Sequence, residues 1–212
     1  DEMAIQMGID VVEIDVHATR DGQIVVLHDP TLDRTTDRQG LVRELSLNEV
    51  RRADAGTWFD PRFSGERVPI LEEVLEVARH RALVLIEIKA EFIAERLLSI
   101  VDDMSAESQV IIQSFNPQIV QRIKLFNPAI PTALLIGKLP TTPSRVRARK
   151  LVKRILQVGA NALAAWHATL TRRDGPTAMC LTRQSQPSIE RPAGITNADL
   201  ASGGYVVHDD PA

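Results

Sequence analysis

Val11-Val12-Glu13-Ile14-Asp15-Val16 is the stretch that decides the fold: two carboxylates, two residues apart, inside an apolar run. Side chains of an extended strand alternate faces, so Glu13 and Asp15 share one face while Val12, Ile14 and Val16 take the other. Two adjacent like charges in a largely buried strand repel and lose hydration, a cost removed only by a cation or by a hydrogen-bond network. A second apolar run, Leu83-Val84-Leu85-Ile86-Glu87-Ile88-Lys89, repeats the arrangement with Glu87 and Lys89 on one face. Donors that are oxygen only suit Mg²⁺ or Ca²⁺ better than zinc. The candidate ligand set is therefore Glu13, Asp15 and Glu87.

Working outward, residues 10 to 17 read as a strand, Asp21-Gly22 as a tight turn and residues 23 to 27 as a second strand. Two strands joined by Asp-Gly predict a hairpin rather than a βαβ step, so His28 arrives on an excursion beside the main sheet. Residues 29 to 69 are rich in loop formers, with a short helix starting near Ser46 and Glu49 in capping-box position. Leu71, Val74, Leu75 and Ala78 fall at helical spacing and precede the strand at 83 to 89. The alternation continues with a helix from Phe92 to Met104, a strand from Val110 to Ser114, a helix from Pro117 to Phe126, a strand from Ile130 to Ile136, and a basic amphipathic helix from Arg145 to Gln157. Alternating strands and helices predict a parallel sheet with functional groups at strand C-termini, where Glu87, Lys89, Gln113 and Ser114 fall.

Several ordered segments resemble one family. Glu13-Ile14-Asp15-Val16-His17, Thr19-Arg20-Asp21-Gly22, Val26-Leu27-His28-Asp29-Pro30, Leu32-Asp33-Arg34-Thr35-Thr36 with Gly40, Ala55-Gly56-Thr57-Trp58-Phe59 and Ile86-Glu87-Ile88-Lys89 look like the glycerophosphodiester phosphodiesterases, in register from about residue 2 to residue 138. The resemblance implies a TIM (β/α)8 barrel that hydrolyses glycerophosphodiesters to glycerol 3-phosphate and an alcohol with a bound divalent cation. It makes Glu13, Asp15 and Glu87 metal ligands, His28 a general acid or base, and Lys89 a phosphate or transition-state contact. His17, Gln113, Ser114, Trp166 and His167 are candidates for the substrate pocket, Trp58 and Phe59 for its wall. Asp33 and Arg34 are expected to brace the insertion loop.

Family members open with a strand ending in His-Arg-Gly followed by a Pro-Glu-Asn segment that starts the first helix; their second histidine, a phosphate-binding arginine and one further metal carboxylate lie in that stretch, and neither segment is present here. The chain is thus expected to be an N-terminally incomplete member, a single barrel domain over 1–212 that lacks its first strand, carries a small insertion at about 29–69 and is largely inactive by itself. Residues 2 to 7 read as the second half of a helix that stops at Gly8. Residues 171 to 204 match the family poorly, and a local reading-frame change is one explanation. Gly203 to Ala212 resemble the family's closing strand.

Composition narrows the classes. The chain has 212 residues, 44% hydrophobic and 25% charged, with net charge −3 and 4% aromatics. There is no basic run and few rings for stacking, so nucleic acid is not expected as a partner. No apolar stretch approaches 18 residues, hence no membrane span is expected. One cysteine, Cys180, allows no internal disulfide and fits a reducing, cytoplasmic compartment. The resemblance implies a small-molecule glycerophosphodiester as the partner. Two alternatives stand beside this: a lysophospholipase D or sphingomyelinase-like lipid phosphodiesterase, for which an apolar lip is the discriminator, and a noncatalytic barrel that keeps its metal site. Glu87 and Lys89 also admit a plain structural ion pair.

Overall fold

The computed structural model describes residues 8–137 and 145–165. The helix at 2–7, Trp166, His167, Cys180, the segment 171–204 and the closing strand lie outside the described residues. Six strands form one sheet: β1 (Val11–Ala18), β2 (Ile24–Val26), β3 (Leu83–Ile88), β4 (Val110–Ser114), β5 (Thr132–Ile136) and β6 (Ala162–Ala165). Their spatial order is β2-β1-β3-β4-β5-β6. Among the described strands β1 and β2 pair antiparallel, while β1, β3, β4, β5 and β6 run parallel. The hairpin expected from Asp21-Gly22 is therefore present, with Gly22 at φ +77°, a value that glycine adopts without a Cβ penalty. Among the described residues the sheet does not close, and β2 and β6 lie at its edges.

The helices follow their apolar spacing. Beyond a four-residue α1 (Leu47–Val50), they are α2 (Leu71–Ala78), α3 (Ala94–Asp103), α4 (Pro117–Phe126) and α5 (Arg145–Val158). Ser46 and Glu49 cap α1 reciprocally, as their spacing predicts. In α4, Pro117 occupies the first turn, where a missing N–H costs nothing, and the Asn116 side chain accepts from Gln118 N at 2.9 Å. The helix expected from Phe92 begins later, at Ala94, after a 3-10 turn over Glu91–Ile93.

The main core lies between sheet and helices. Val12, Ile14, Val16, Val84, Ile86, Ile88, Val110 and Ile112 pack against Leu71, Val74, Leu75, Leu97, Ile100, Ile119 and Ile123. The opposite sheet face is thereby left for Glu13, Asp15, Glu87 and Gln113. The excursion after β2 has a smaller core of its own, in which Val25, Leu32, Val42, Val50, Ala53 and Val68 are buried together. A third cluster joins Val120 of α4, Leu134 of β5 and Ile155 of α5.

Candidate metal and catalytic site

Parallel register and two-residue alternation place the site. Asp15 of β1 lies beside Glu87 of β3, and Glu87 beside Gln113 of β4, in one lateral row. Glu13 lies one step back on the same face as Asp15. One carboxylate oxygen from each of Glu13, Asp15 and Glu87 lies within 4.8 Å of the others, and all three residues are half-buried. Oxygen ligands about 2.0–2.6 Å from a hard cation stand at most about 4.0–5.2 Å apart, twice the bond length. The donor set therefore has the dimensions of a site for a hard divalent cation.

The neighbours of these carboxylates are as specific. Gln113, only 2% exposed, donates from Nε2 to Glu13 Oε1 at 2.7 Å. The Lys89 ammonium lies 3.1 Å from Asp15 Oδ1 and donates to the His28 carbonyl at 3.3 Å. Burial pushes the Glu87 carboxyl up to about 7; Lys89 works against that, while the charges of Asp15 and Glu13 add to it. A carboxyl held neutral by burial and by like charges is relieved when a cation enters, so electrostatics and geometry point to the same occupant.

His28 is fixed at both backbone and ring. Its carbonyl accepts from Lys89 and from Nε2–H of His17 at 3.1 Å. Its Nδ1 lies 2.7 Å from Asp29 Oδ1. Arg34 grips Asp29 with two prongs, Nε to Oδ2 at 2.7 Å and Nη2 to Oδ1 at 3.0 Å. These Arg34 hydrogen bonds above all, helped by His28, hold the Asp29 carboxyl well below the usual carboxylate range. An ionised Asp29 accepts only, so Nδ1–H donates to it and Nε2 is the ring nitrogen left to exchange protons. Burial lowers the pKa of His17, which favours the neutral form that props His28.

Glu13, Asp15, His28 and Arg34 line one part of a cleft of about 650 Å³, and Trp58, Phe59 and Phe63 another. Asp54 organises the aromatic part, accepting from the backbone N–H groups of Gly56, Thr57 and Gly65 at 2.8–2.9 Å. A Cβ on Gly56 would lie 1.9 Å from the Phe63 carbonyl oxygen, so only glycine permits this approach.

Two expectations need correction. Ser114 does not share the pocket with Gln113. It follows Gln113 in the strand and so faces the helices, where it is 1% exposed and donates to the Ile88 carbonyl at 2.7 Å. Arg34 does more than brace the insertion. Asp33 performs that task by accepting from Gly40 N at 3.1 Å, while Arg34 lines the cleft and holds Asp29. The Asp29–Arg34 fork and the Asp54 hub escaped the sequence reading; adjacency of Asp29 to His28 was the one available signal.

Comparison with known proteins agrees with this geometry. A model of the glycerophosphoryl diester phosphodiesterase family matches residues 2–173. A glycerophosphodiester phosphodiesterase of Caldanaerobacter subterraneus is 40% identical over 138 residues, covering 62% of this chain and 57% of its own length. Another from Bacillus subtilis is 34% identical over 153 residues, covering 64% and 52%. The chain thus spans little more than half the length of these relatives. Among solved structures, a glycerophosphodiester phosphodiesterase from Agrobacterium tumefaciens superposes with TM-score 0.65 at 28% identity, over 77% of this chain and 67% of its own. An Oleispira antarctica phosphodiesterase in complex with the product sn-glycerol-3-phosphate gives 0.69 at 25% identity, over 82% and 70%. With its strands and helices laid out as in the TIM-barrel structures of these neighbours, the chain belongs to the glycerophosphoryl diester phosphodiesterase family.

Proposed function

We propose that this protein hydrolyses glycerophosphodiesters to glycerol 3-phosphate and an alcohol. The observation that carries the reading is a three-carboxylate cluster of metal dimensions, two of whose members, Glu13 and Asp15, line one cleft with His28, a histidine whose ring is oriented by a carboxylate. Glu13, Asp15 and Glu87 hold the cation, Mg²⁺ or Ca²⁺; when bound it supplies charge neutralisation at phosphoryl oxygens. Lys89, anchored on Asp15, adds a second positive group on the same side. His28 transfers the proton through Nε2, while Asp29 and Arg34 hold its ring and His17 its backbone. Gln113 keeps Glu13 oriented for the ion.

The aromatic part of the cleft supports a second reading of the leaving alcohol. Phe59 is 71% and Trp58 45% exposed, and their rings meet edge to face at 5.8 Å. Such an apolar rim suits a lipid-bearing alcohol as well as a small head group. The test, run on the chain joined to the family's opening His-Arg-Gly strand, is release of glycerol 3-phosphate from glycerophosphocholine against release of choline or lysophosphatidic acid from lysophosphatidylcholine, each with Mg²⁺ or Ca²⁺. Release of the first product, abolished by chelation and by His28→Ala, is the expected result. No phosphodiester cleavage with either ion would overturn the proposal.

A further inference from the structure

A second cleft, of about 310 Å³, lies beside the hairpin and shares no lining residue with the first. Three of its walls are arginines: Arg20 from the hairpin turn, Arg43 from the excursion and Arg96 from α3. Among the described residues no acidic residue lines it. Thr19 and Ile93 contribute to its floor, and Phe92, 67% exposed, stands at its edge.

The arginines are not used up by the fold. Arg20 is tied by Nη1 to the Glu44 carbonyl at 2.8 Å and by Nη2 to Glu49 at 3.1 Å. Arg43 comes only within 4.0 Å of Glu44 and Arg96 only within 3.9 Å of Glu72, both beyond hydrogen-bond length. Among the described residues neither guanidinium makes a hydrogen bond. One anchored and two uncommitted guanidinium groups from three separate segments thus face a shared space. Each arginine has one carboxylate neighbour, but Arg43 and Arg96 keep N–H groups without hydrogen bonds, and planar N–H forks match the oxygens of a phosphate group.

We infer that this cleft, lined by Arg20, Arg43 and Arg96 outside the catalytic site, binds a phosphate group. Thr19 follows β1, and Phe92 lies a few residues past β3, so the phosphate cleft sits at the same end of these strands as Lys89. The phosphate belongs either to a soluble monoester or to a phospholipid whose apolar part meets Phe92.

Titration calorimetry with inorganic phosphate, at low ionic strength and in chelator, tests the site directly; without a cation the three carboxylates of the catalytic cleft repel an anion. The wild-type protein should bind one phosphate. Arg43→Gln with Arg96→Gln should weaken binding at least about tenfold, since a hydrogen bond to a charged group accounts for roughly that factor. The thermal melt of this double variant should stay nearly unchanged, because the Arg43–Glu44 and Arg96–Glu72 pairs are long and partly exposed, and such surface pairs contribute little. If it shifts, Arg43→Lys with Arg96→Lys replaces it; loss of the paired forks should again weaken binding, by less. Co-sedimentation with phosphatidic acid vesicles against phosphatidylcholine vesicles distinguishes the sources: retention on the former that the double variant loses assigns the phosphate to a lipid, and calorimetric binding alone assigns it to a soluble monoester. Absence of phosphate binding in both assays, or equal binding by wild type and the arginine variants, overturns the inference. Neither outcome depends on phosphodiester cleavage, which is measured separately.

Discussion

Replacing Glu87 by glutamine and following Mg²⁺ affinity from pH 5.5 to 8.5 probes the metal site through the one carboxyl that burial and its neighbours push up to about 7. A proton on Glu87 competes with the ion. With that pKa the ionised fraction is about 1/11 at pH 6 and about 10/11 at pH 8, so wild-type affinity should rise about tenfold across these two units. In Glu87→Gln the group no longer titrates, so this part of the slope should vanish. Affinity at pH 8 should also fall by more than the roughly 10- to 100-fold typical of losing an outer-shell partner, because a direct ligand is removed. Stability of the metal-free protein carries the same signature. Glu87 has a folded pKa above its unfolded value, so its contribution is fully present below the ordinary value of 4.5 and is lost as pH rises through about 7. The side chain is well short of full burial, and solvent screening keeps that effect modest. Melting in chelator should therefore decline from pH 4.5 to 7.5 more steeply in wild type than in Glu87→Gln, and added Mg²⁺ should restore the wild type above pH 7. Isothermal titration in two buffers of different ionisation enthalpy counts the proton released on binding. A flat affinity between pH 6 and 8, or an identical slope in the variant, would remove Glu87 from the ligand set.

Three further outcomes follow from the same geometry. In the chain joined to the family's opening His-Arg-Gly strand, His28→Ala should lower turnover on glycerophosphodiesters about 10²- to 10⁴-fold while leaving calorimetric metal affinity nearly unchanged, since the imidazole moves protons and is not a ligand. Arg34→Gln should lower kcat and alter its pH profile by releasing Asp29 from the fork that holds it, with partial recovery in Arg34→Lys; an unchanged profile would show that the Asp29–Arg34 pair does not orient His28. Gly56→Ala should destabilise the protein by about 1–3 kcal/mol, read from chemical denaturation, because its Cβ would meet the Phe63 carbonyl oxygen at 1.9 Å and the loop must shift.

The parts of the fold legible in the sequence are those written in local periodicity. The apolar positions 71, 74, 75 and 78 and the alternating run 83 to 89 specify which face is buried, so they locate α2, β3 and the inward side of Glu87. The same rule, applied strictly, separates Gln113 from Ser114, because consecutive strand residues face opposite sides. The start of α3 was less legible, since Phe92 satisfies helical spacing while the chain makes a 3-10 turn before Ala94. Least legible were contacts made inside the excursion. Nothing in residues 29 to 34 distinguishes an arginine that braces a loop from one that forks a carboxylate, and Asp54 becomes a hub only after Gly56, Thr57 and Gly65 curl around it. Such contacts depend on loop closure, which carries no period.

Hairpin register is what couples the proposed metal ligands to the proposed acid/base residue. Val16 pairs with Val26, and Leu27 N donates to the Asp15 carbonyl at 3.0 Å, so the returning chain is locked level with Asp15 immediately before His28. A βαβ connection would have carried the chain over a helix and delivered the next residues to a separate strand end. The antiparallel return instead sets His28 where Lys89 and His17, on two different strand ends, both reach its carbonyl. A slip of one residue in β1 would turn Asp15 toward the helices and bring Val16 to the cleft, losing ligand and anchor together. That slip is opposed by Val12, Ile14, Val16 and Ala18, all buried against the helix side, and by the six-residue parallel register with β3. The apolar residues between the carboxylates are therefore as necessary to the site as the carboxylates, because they alone determine which side of the sheet the charges occupy.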